Sequence, residues 1–261
     1  MTATAPTQAR ITTYCAGKVF CGLNIPKKFG GMGHGLLGHT LAFEALGQGC
    51  PSTVLSFNMH LSNTGPLMTS AAVPDETKEM VARLAVEERK LIAGNFSEPS
   101  STGLIGERSL ATRARKVDGG YSITGRWMFS SMLQAADYCA VVTCPDEATN
   151  PAAALFLLVP RMAEGRSVIT NWDTLGMRAT RSDSLVLEAC WVPDSAAVFR
   201  TDDFGDFRAD FANWFWGSYT PVYLGVGIAA YNELLKVLWE RQPQDYAQPL
   251  AYHPDVRRQV A

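Results

Sequence analysis

The sequence lacks the signals that mark several large classes of protein. No apolar run approaches the roughly 18 residues that a membrane-spanning helix needs. The longest, Ala152 to Val159 and Val222 to Tyr231, are far shorter. The first ten residues carry no apolar core of a secretory signal. No charge predominates: 23 Lys and Arg stand against 25 Asp and Glu, for a net charge of −2. A nucleic-acid binder ordinarily carries a basic field, so nucleic acid is not an expected partner. Histidines number only four and no two cysteines form a CxxC pair, so no metal site is expected. Cys15, Cys21, Cys50, Cys139, Cys144 and Cys190 are too sparse for a secreted disulfide scaffold. They read as free thiols in a reducing cytoplasm. Glycine and proline, at 22 and 14, are ordinary, which excludes collagen-like and low-complexity chains.

What is present is core-forming. Hydrophobic residues make up 47% of 261 positions, enough to bury a substantial interior without disulfides or metals. At ~150 residues per domain, the length fits one large domain or two small ones.

The pattern runs helical, then β-rich, then helical. Leu36 to Leu46 reads as a helix, Pro51 opens a second at its first turn, and Asp75 to Lys90 is a third. Ala114–Val117, Asp118-Gly119-Gly120 and Tyr121–Trp127 read as a β-hairpin, because Asp-Gly supplies the positive φ angles of a tight turn. Further strands are expected at Tyr138–Cys144, Ala154–Val159 and Ser184–Val192. In the last, Leu185, Leu187 and Ala189 alternate with Val186, Glu188 and Cys190. From about Trp214 to Glu240 the pattern is helical again, stopped at Pro243. Pro254 to Val260 begins another helix.

Four segments bear on chemistry. Gly33-His34-Gly35-Leu36-Leu37-Gly38 matches GxGxxG in letters only. The polar, proline-containing Asn24–Phe29 precedes it where a dinucleotide fold needs a buried strand, so it reads as a helix entry with polar or capping His34 and His39. Ser97-Glu98-Pro99-Ser100-Ser101-Thr102-Gly103 can aim short hydroxyls and backbone N–H groups at a flat polar ligand, and equally suits an ordinary turn. In Trp127-Met128-Phe129-Ser130-Ser131, an aromatic beside a hydroxyl can stack on a planar ring and hydrogen-bond its edge. Trp214-Phe215-Trp216, with Tyr219 and Tyr223, best fits a helix packing into a core or interface.

Taken in order, these blocks resemble the acyl-CoA dehydrogenase family. The carriers are Gly22-Leu23 through Pro26 and Phe29-Gly30-Gly31-Met32-Gly33, then Ser97-Glu98-Pro99, then Asp118–Ser131 with Ala136-Asp137. Leu175-Gly176-Met177-Arg178-Ala179-Thr180 with Val192-Pro193 follows, and then Tyr223–Arg241. The similarity runs from about residue 20 to the last residue. It implies an α+β fold: a partial N-terminal helical domain (1–91), a central β-barrel-like domain (92–200) and the start of a C-terminal helical bundle (206–261). It also implies FAD, a homo-oligomer (dimer or tetramer), and an acyl-CoA or other small-molecule substrate. The residues at the flavin positions are Phe96, Ser97, Phe129 and Ser131, with Ser131 near flavin N5. The family's phosphate-touching serine falls at Gly103, with Ser101 or Thr102 as substitutes, and its usual Asp is Leu104.

Three readings of function follow from the resemblance. The first is α,β-dehydrogenation of an acyl-CoA thioester in fatty acid metabolism. Asn213–Trp216 offers no carboxylate, so the catalytic base is unassigned and expected beyond Ala261. The second is a flavin monooxygenase of the same fold acting on an aromatic compound. The third is a truncated, inactive relative. The bundle helix is then expected to leave an apolar face open at Tyr223, Leu224, Ile228 and Leu235, and the isolated chain to be poorly soluble or to aggregate.

Overall fold

The computed structural model describes residues 20–99 and 110–260. Its α-helices are α1 (Leu36–Gly47), α2 (Pro51–Thr69), α3 (Asp75–Ala82), α4 (Phe204–Glu240) and α5 (Pro254–Val260). Its strands are β1 (Ile92–Asn95), β2 (Arg113–Val117), β3 (Gly120–Ser130), β4 (Tyr138–Pro145), β5 (Ala154–Pro160), β6 (Arg166–Ile169), β7 (Asp183–Pro193) and β8 (Ala197–Thr201). The strand order is β6-β7-β3-β2-β4-β5-β8, with β1 added to β4. Among the described residues, no helix is long and apolar enough to cross a membrane.

The unbroken apolar runs of β4 and β5 follow from burial on both faces. Cys139, Val141, Leu155, Leu157 and Val159 enter a core inside the sheet with Trp127, Leu185 and Leu187. The alternate residues Ala140, Val142, Ala154, Phe156 and Leu158 enter a second core with α3 and the start of α4. Successive strand side chains point to opposite faces, so a strand covered on both sides needs apolar residues at every position.

The hairpin forms at the expected turn. Val117 pairs with Gly120 and Gly119 turns at φ 67°. β7 departs from the expected alternation. Ile123 pairs with Cys190 but Gly125 pairs with Leu187, so Glu188 and Ala189 together face Thr124. This bulge, with Ala189 at φ 46°, reverses the phase, and Cys190 and Val192 rather than Ala189 join Leu185 and Leu187 in the core.

Two helices also differ from expectation. The third ends as an α-helix at Ala82, and Arg83–Glu87 winds as a wider π turn, with Glu88 N–H bonded to Arg83 C=O at 3.0 Å. Arg89, at φ 52°, then turns the chain into β1, leaving Lys90 outside the helix. The long helix begins at Phe204, not near Trp214. Asp203 caps it by accepting Gly205 N–H at 2.8 Å.

The glycine-rich entry is structural. Residues 22–34 fold back on themselves, with Met32 N–H bonded to Gly22 C=O and Gly33 N–H to Ile25 C=O. Gly35 sits at the start of α1 with an extended backbone and no side-chain cap is made there. His39 corrects the reading of a polar or capping residue: it is fully buried against Phe43 and Trp214.

His60 holds α2 to β1. Its Nδ1 accepts Ile92 N–H at 3.2 Å, so Nε2 carries the proton and donates to Cys21 C=O at 3.0 Å. Burial lowers the pKa of both His39 and His60 to about 4. Cys50, Cys139, Cys144 and Cys190 form no disulfide. Burial pushes the Cys139 thiol up, against the opposing pull of nearby Arg166.

Helix α4 lies along α1 and α2. Its glycines permit the approach: a Cβ on Gly225 would meet Glu44 C=O at 2.4 Å. Around and after that crossing Tyr223, Leu224, Val226 and Trp239 are exposed, in keeping with the open apolar face expected of this helix, while Ile228 and Leu235 are half-buried.

Candidate functional site

Three chain segments converge at one end of the sheet. Past the end of β1, Ser97 C=O accepts Met128 N–H at 2.7 Å, an antiparallel bridge to β3. Next in the chain, the buried Glu98 accepts Ala111 and Thr112 N–H, each at 2.8 Å. The carboxylate thus ties the end of the first segment to the approach into β2. Ser100, Ser101, Thr102, Gly103 and Leu104, named above for their place in the flavin loop, lie outside the described residues.

At the end of β3 the register slips between Trp127 and Ser130. Phe129 takes φ 57°, a left-handed backbone that costs a non-glycine residue roughly 1–3 kcal/mol and that clusters at functional sites. The residue is 59% exposed, and its ring meets Trp172 edge-on at 6.2 Å. Met132, Met177 and Arg181 also have positive φ, and all three belong to the same region. Met132 N–H bonds Thr180 C=O, and Trp172 Nε1 donates to Met177 C=O.

Behind Phe129 runs a line of hydroxyls. Thr180 donates to Met177 C=O at 2.8 Å, so in its 2.7 Å contact with Ser182 it must accept. Ser182 has then spent its proton, and Ser131 must donate across the 2.6 Å contact between them. Ser131 Oγ is left with lone pairs to offer. In this arrangement it can only accept from a ligand N–H.

Asp183 fixes the facing loop. It is fully buried, and Oδ1 accepts Asn171 and Trp172 N–H at 3.0 Å each. Oδ2 accepts Gln134 at 3.0 Å and pairs with Arg181 at 2.9 Å. A charge-assisted cluster of this kind sets the orientation of the whole loop.

Of the residues marked in the sequence, Ser97, Phe129 and Ser131 come together here. Phe96, whose expected part is its backbone beside Ser97, packs its ring against Phe211 of α4 at 4.6 Å. Thr180, Ser182, Asp183 and Trp172 carry no assigned part in the sequence. Their signal is the Leu175–Thr180 segment, whose neighbours in the chain supply the hydroxyls and the buried carboxylate. The ensemble suits a planar heteroaromatic ring: an exposed aromatic face at Phe129 and hydroxyls at Ser97 and Ser131 for its edge. Trp214 is buried in the helical core, Phe215 stacks on Phe211 at 6.1 Å, and Trp216 is half-exposed.

Residues 5–88 match the acyl-CoA dehydrogenase N-terminal domain, so the likeness begins well before residue 20, where the motifs alone placed it. The chain is 30% identical over 172 residues to a mitochondrial isovaleryl-CoA dehydrogenase of Oryza sativa subsp. japonica, a match covering 66% of this chain and 41% of that protein. The chain thus spans less than half the length of that relative. Its fold superposes on butyryl-CoA dehydrogenase from Megasphaera elsdenii with a TM-score of 0.79 at 20% identity, covering 98% of this chain and 66% of the other. It superposes equally well on TdsC from Paenibacillus sp. A11-2, solved with FMN and indole, with a TM-score of 0.80 at 20% identity over 98% and 70% of the two chains. Residues 5–88 thus carry the acyl-CoA dehydrogenase N-terminal domain, and in sequence and in fold the chain is similar to the acyl-CoA dehydrogenases.

Proposed function

We propose that this chain is the flavin-binding part of an FAD-dependent oxidoreductase that removes α- and β-hydrogens from an acyl-CoA thioester. The observation that carries the reading is the convergence of Ser97, Phe129 and Ser131 beside an aspartate-anchored loop. FAD, when bound, supplies a hydride acceptor at ring N5. Phe129 offers its exposed face to the ring, and with Trp172 beside it excludes water from one side. Ser97 offers its hydroxyl to the ring edge, and Ser131, its proton given to Ser182, offers a lone pair. No residue of this chain is assigned as the base.

A second reading is favoured by the aromatic pair Phe129–Trp172 and by the equal fit to a structure holding FMN and indole. It is oxygenation of an aromatic substrate by reduced flavin. We place the protein in the cytoplasm as a homo-oligomer, a dimer or tetramer, with the exposed apolar face of α4 supporting association.

Anaerobic mixing of the flavin-loaded protein with acyl-CoA thioesters separates the two. Bleaching of the flavin band is the expected result. No bleaching at any chain length, with oxygen-dependent consumption of an aromatic when reduced flavin is supplied, favours the oxygenase reading instead.

A further inference from the structure

The line of hydroxyls from Thr180 to Ser131 has a fixed sense, and that sense is set at its far end. A carbonyl oxygen accepts and cannot donate, so Thr180 spends its proton on Met177 C=O at 2.8 Å. Ser182 then gives its proton to Thr180, and Ser131 gives its own to Ser182, at 2.7 and 2.6 Å. All three residues are buried, so bulk water does not compete for these protons. Reversing the line would give up the bond between Thr180 and Met177. The backbone offers no donor in exchange. Ser131 N–H is spent on Phe129 C=O at 3.0 Å, and Met132 N–H on Thr180 C=O at 3.2 Å. At Ser131 the protein therefore presents lone pairs and no hydrogen.

A flavin ring has an edge atom whose hydrogen-bonding role depends on its oxidation state. N5 of the oxidised ring is a bare acceptor. Reduction adds two electrons to the ring and a proton to N5, which becomes an N–H donor. N3, by contrast, carries its hydrogen in both states. A group that can only accept bonds the reduced form of N5. Against the oxidised form it sets acceptor to acceptor, and both lose a hydrogen bond.

We propose that Thr180 and Ser182 are positioning residues that fix the proton of Ser131, so that the site prefers reduced FAD to oxidised FAD. They act on the ring through Ser131. The inference rests on the flavin reading and goes beyond it, and it does not depend on the substrate. A preference for the reduced ring makes the bound flavin a stronger electron acceptor toward a thioester. The same preference retains reduced flavin for oxygen chemistry.

The redox potential of FAD bound to the purified chain tests this. Oxidised FAD is titrated by flavin fluorescence, and the bound flavin is then reduced anaerobically beside a reference dye. Reduced FAD is expected to bind at least about tenfold tighter than oxidised FAD, which sets the bound two-electron couple at least about 30 mV above that of free FAD. Ser182→Ala takes away the acceptor of the Ser131 proton, which then turns to N5. Thr180→Val lets Ser182 give its proton to Ser131, with the same result. Both variants should bind oxidised FAD more tightly and lose most of the tenfold preference. Loss of packing alone would weaken both forms together and leave their ratio as it was. An unchanged ratio in both variants overturns the proposal, as does a native chain that binds oxidised FAD as tightly as reduced FAD. The flavin reading survives either of those results. If neither form of FAD binds, the flavin reading fails and the proposal falls with it.

Discussion

Taking the protein from about pH 7.5 to about pH 4.5 is expected to cost it about 5 kcal/mol of folding stability, a large share of what a domain has. The source is the pair of buried neutral histidines. Burial lowers both His39 and His60 to about 4, whereas the unfolded chain titrates near 6.5. Between those values the unfolded state binds a proton that the folded state refuses. Stability therefore rises with pH across this window, levels off above about 6.5, and is lost as pH falls toward 4. Each histidine contributes up to about 3 kcal/mol. Urea melts at the two pH values measure the difference. His39→Leu, whose nitrogens had no partner to lose, should remove about half of the slope while leaving stability near neutral pH intact. An unchanged slope in that variant would show that the histidine is not buried as described.

Asp183→Ala is expected to be the most damaging single substitution near the site, at about 3–5 kcal/mol. It leaves the Arg181 guanidinium, two backbone N–H groups and the Gln134 amide without their acceptor. A fall in melting temperature of roughly 10 °C follows for a chain of this size. Asp183→Asn keeps the shape but loses the charge, and should fall between. Because Trp172 is held by the same carboxylate, loss of flavin affinity should accompany the loss of stability. A variant that melts normally would mean that the loop is anchored elsewhere.

Features set by neighbours along the chain are legible in the sequence. The Asp118-Gly119 turn fixes its own hairpin, and Pro51 its own helix start. The strands β4 and β5 are visible because burial on both faces writes an unbroken apolar run. Strand β1 is not: four residues paired in parallel to β4, some 46 positions away, leave no local trace. The short β6 and β8 escape for the same reason. The bulge at Ala189 is hidden because nothing in alanine announces a left-handed backbone. The early start of α4 is available in Asp203, whose capping role is a local signal.

The site divides in the same way. Ser97, Phe129 and Ser131 are marked by motif, and the fold brings them together. The hydroxyl chain through Ser182 and Thr180 depends on two strands meeting 51 residues apart, which no spacing rule reveals.

The central claim is that this surface holds a flavin ring, and a direct titration decides it. FAD added to the purified chain should develop a bound-flavin absorbance spectrum, quench flavin fluorescence and raise the melting temperature. In Ser131→Ala the affinity should fall or the spectrum shift, because the hydroxyl at the ring edge is gone. A colourless protein whose melting temperature ignores FAD would contradict the account, and would leave the inactive relative as the reading that remains.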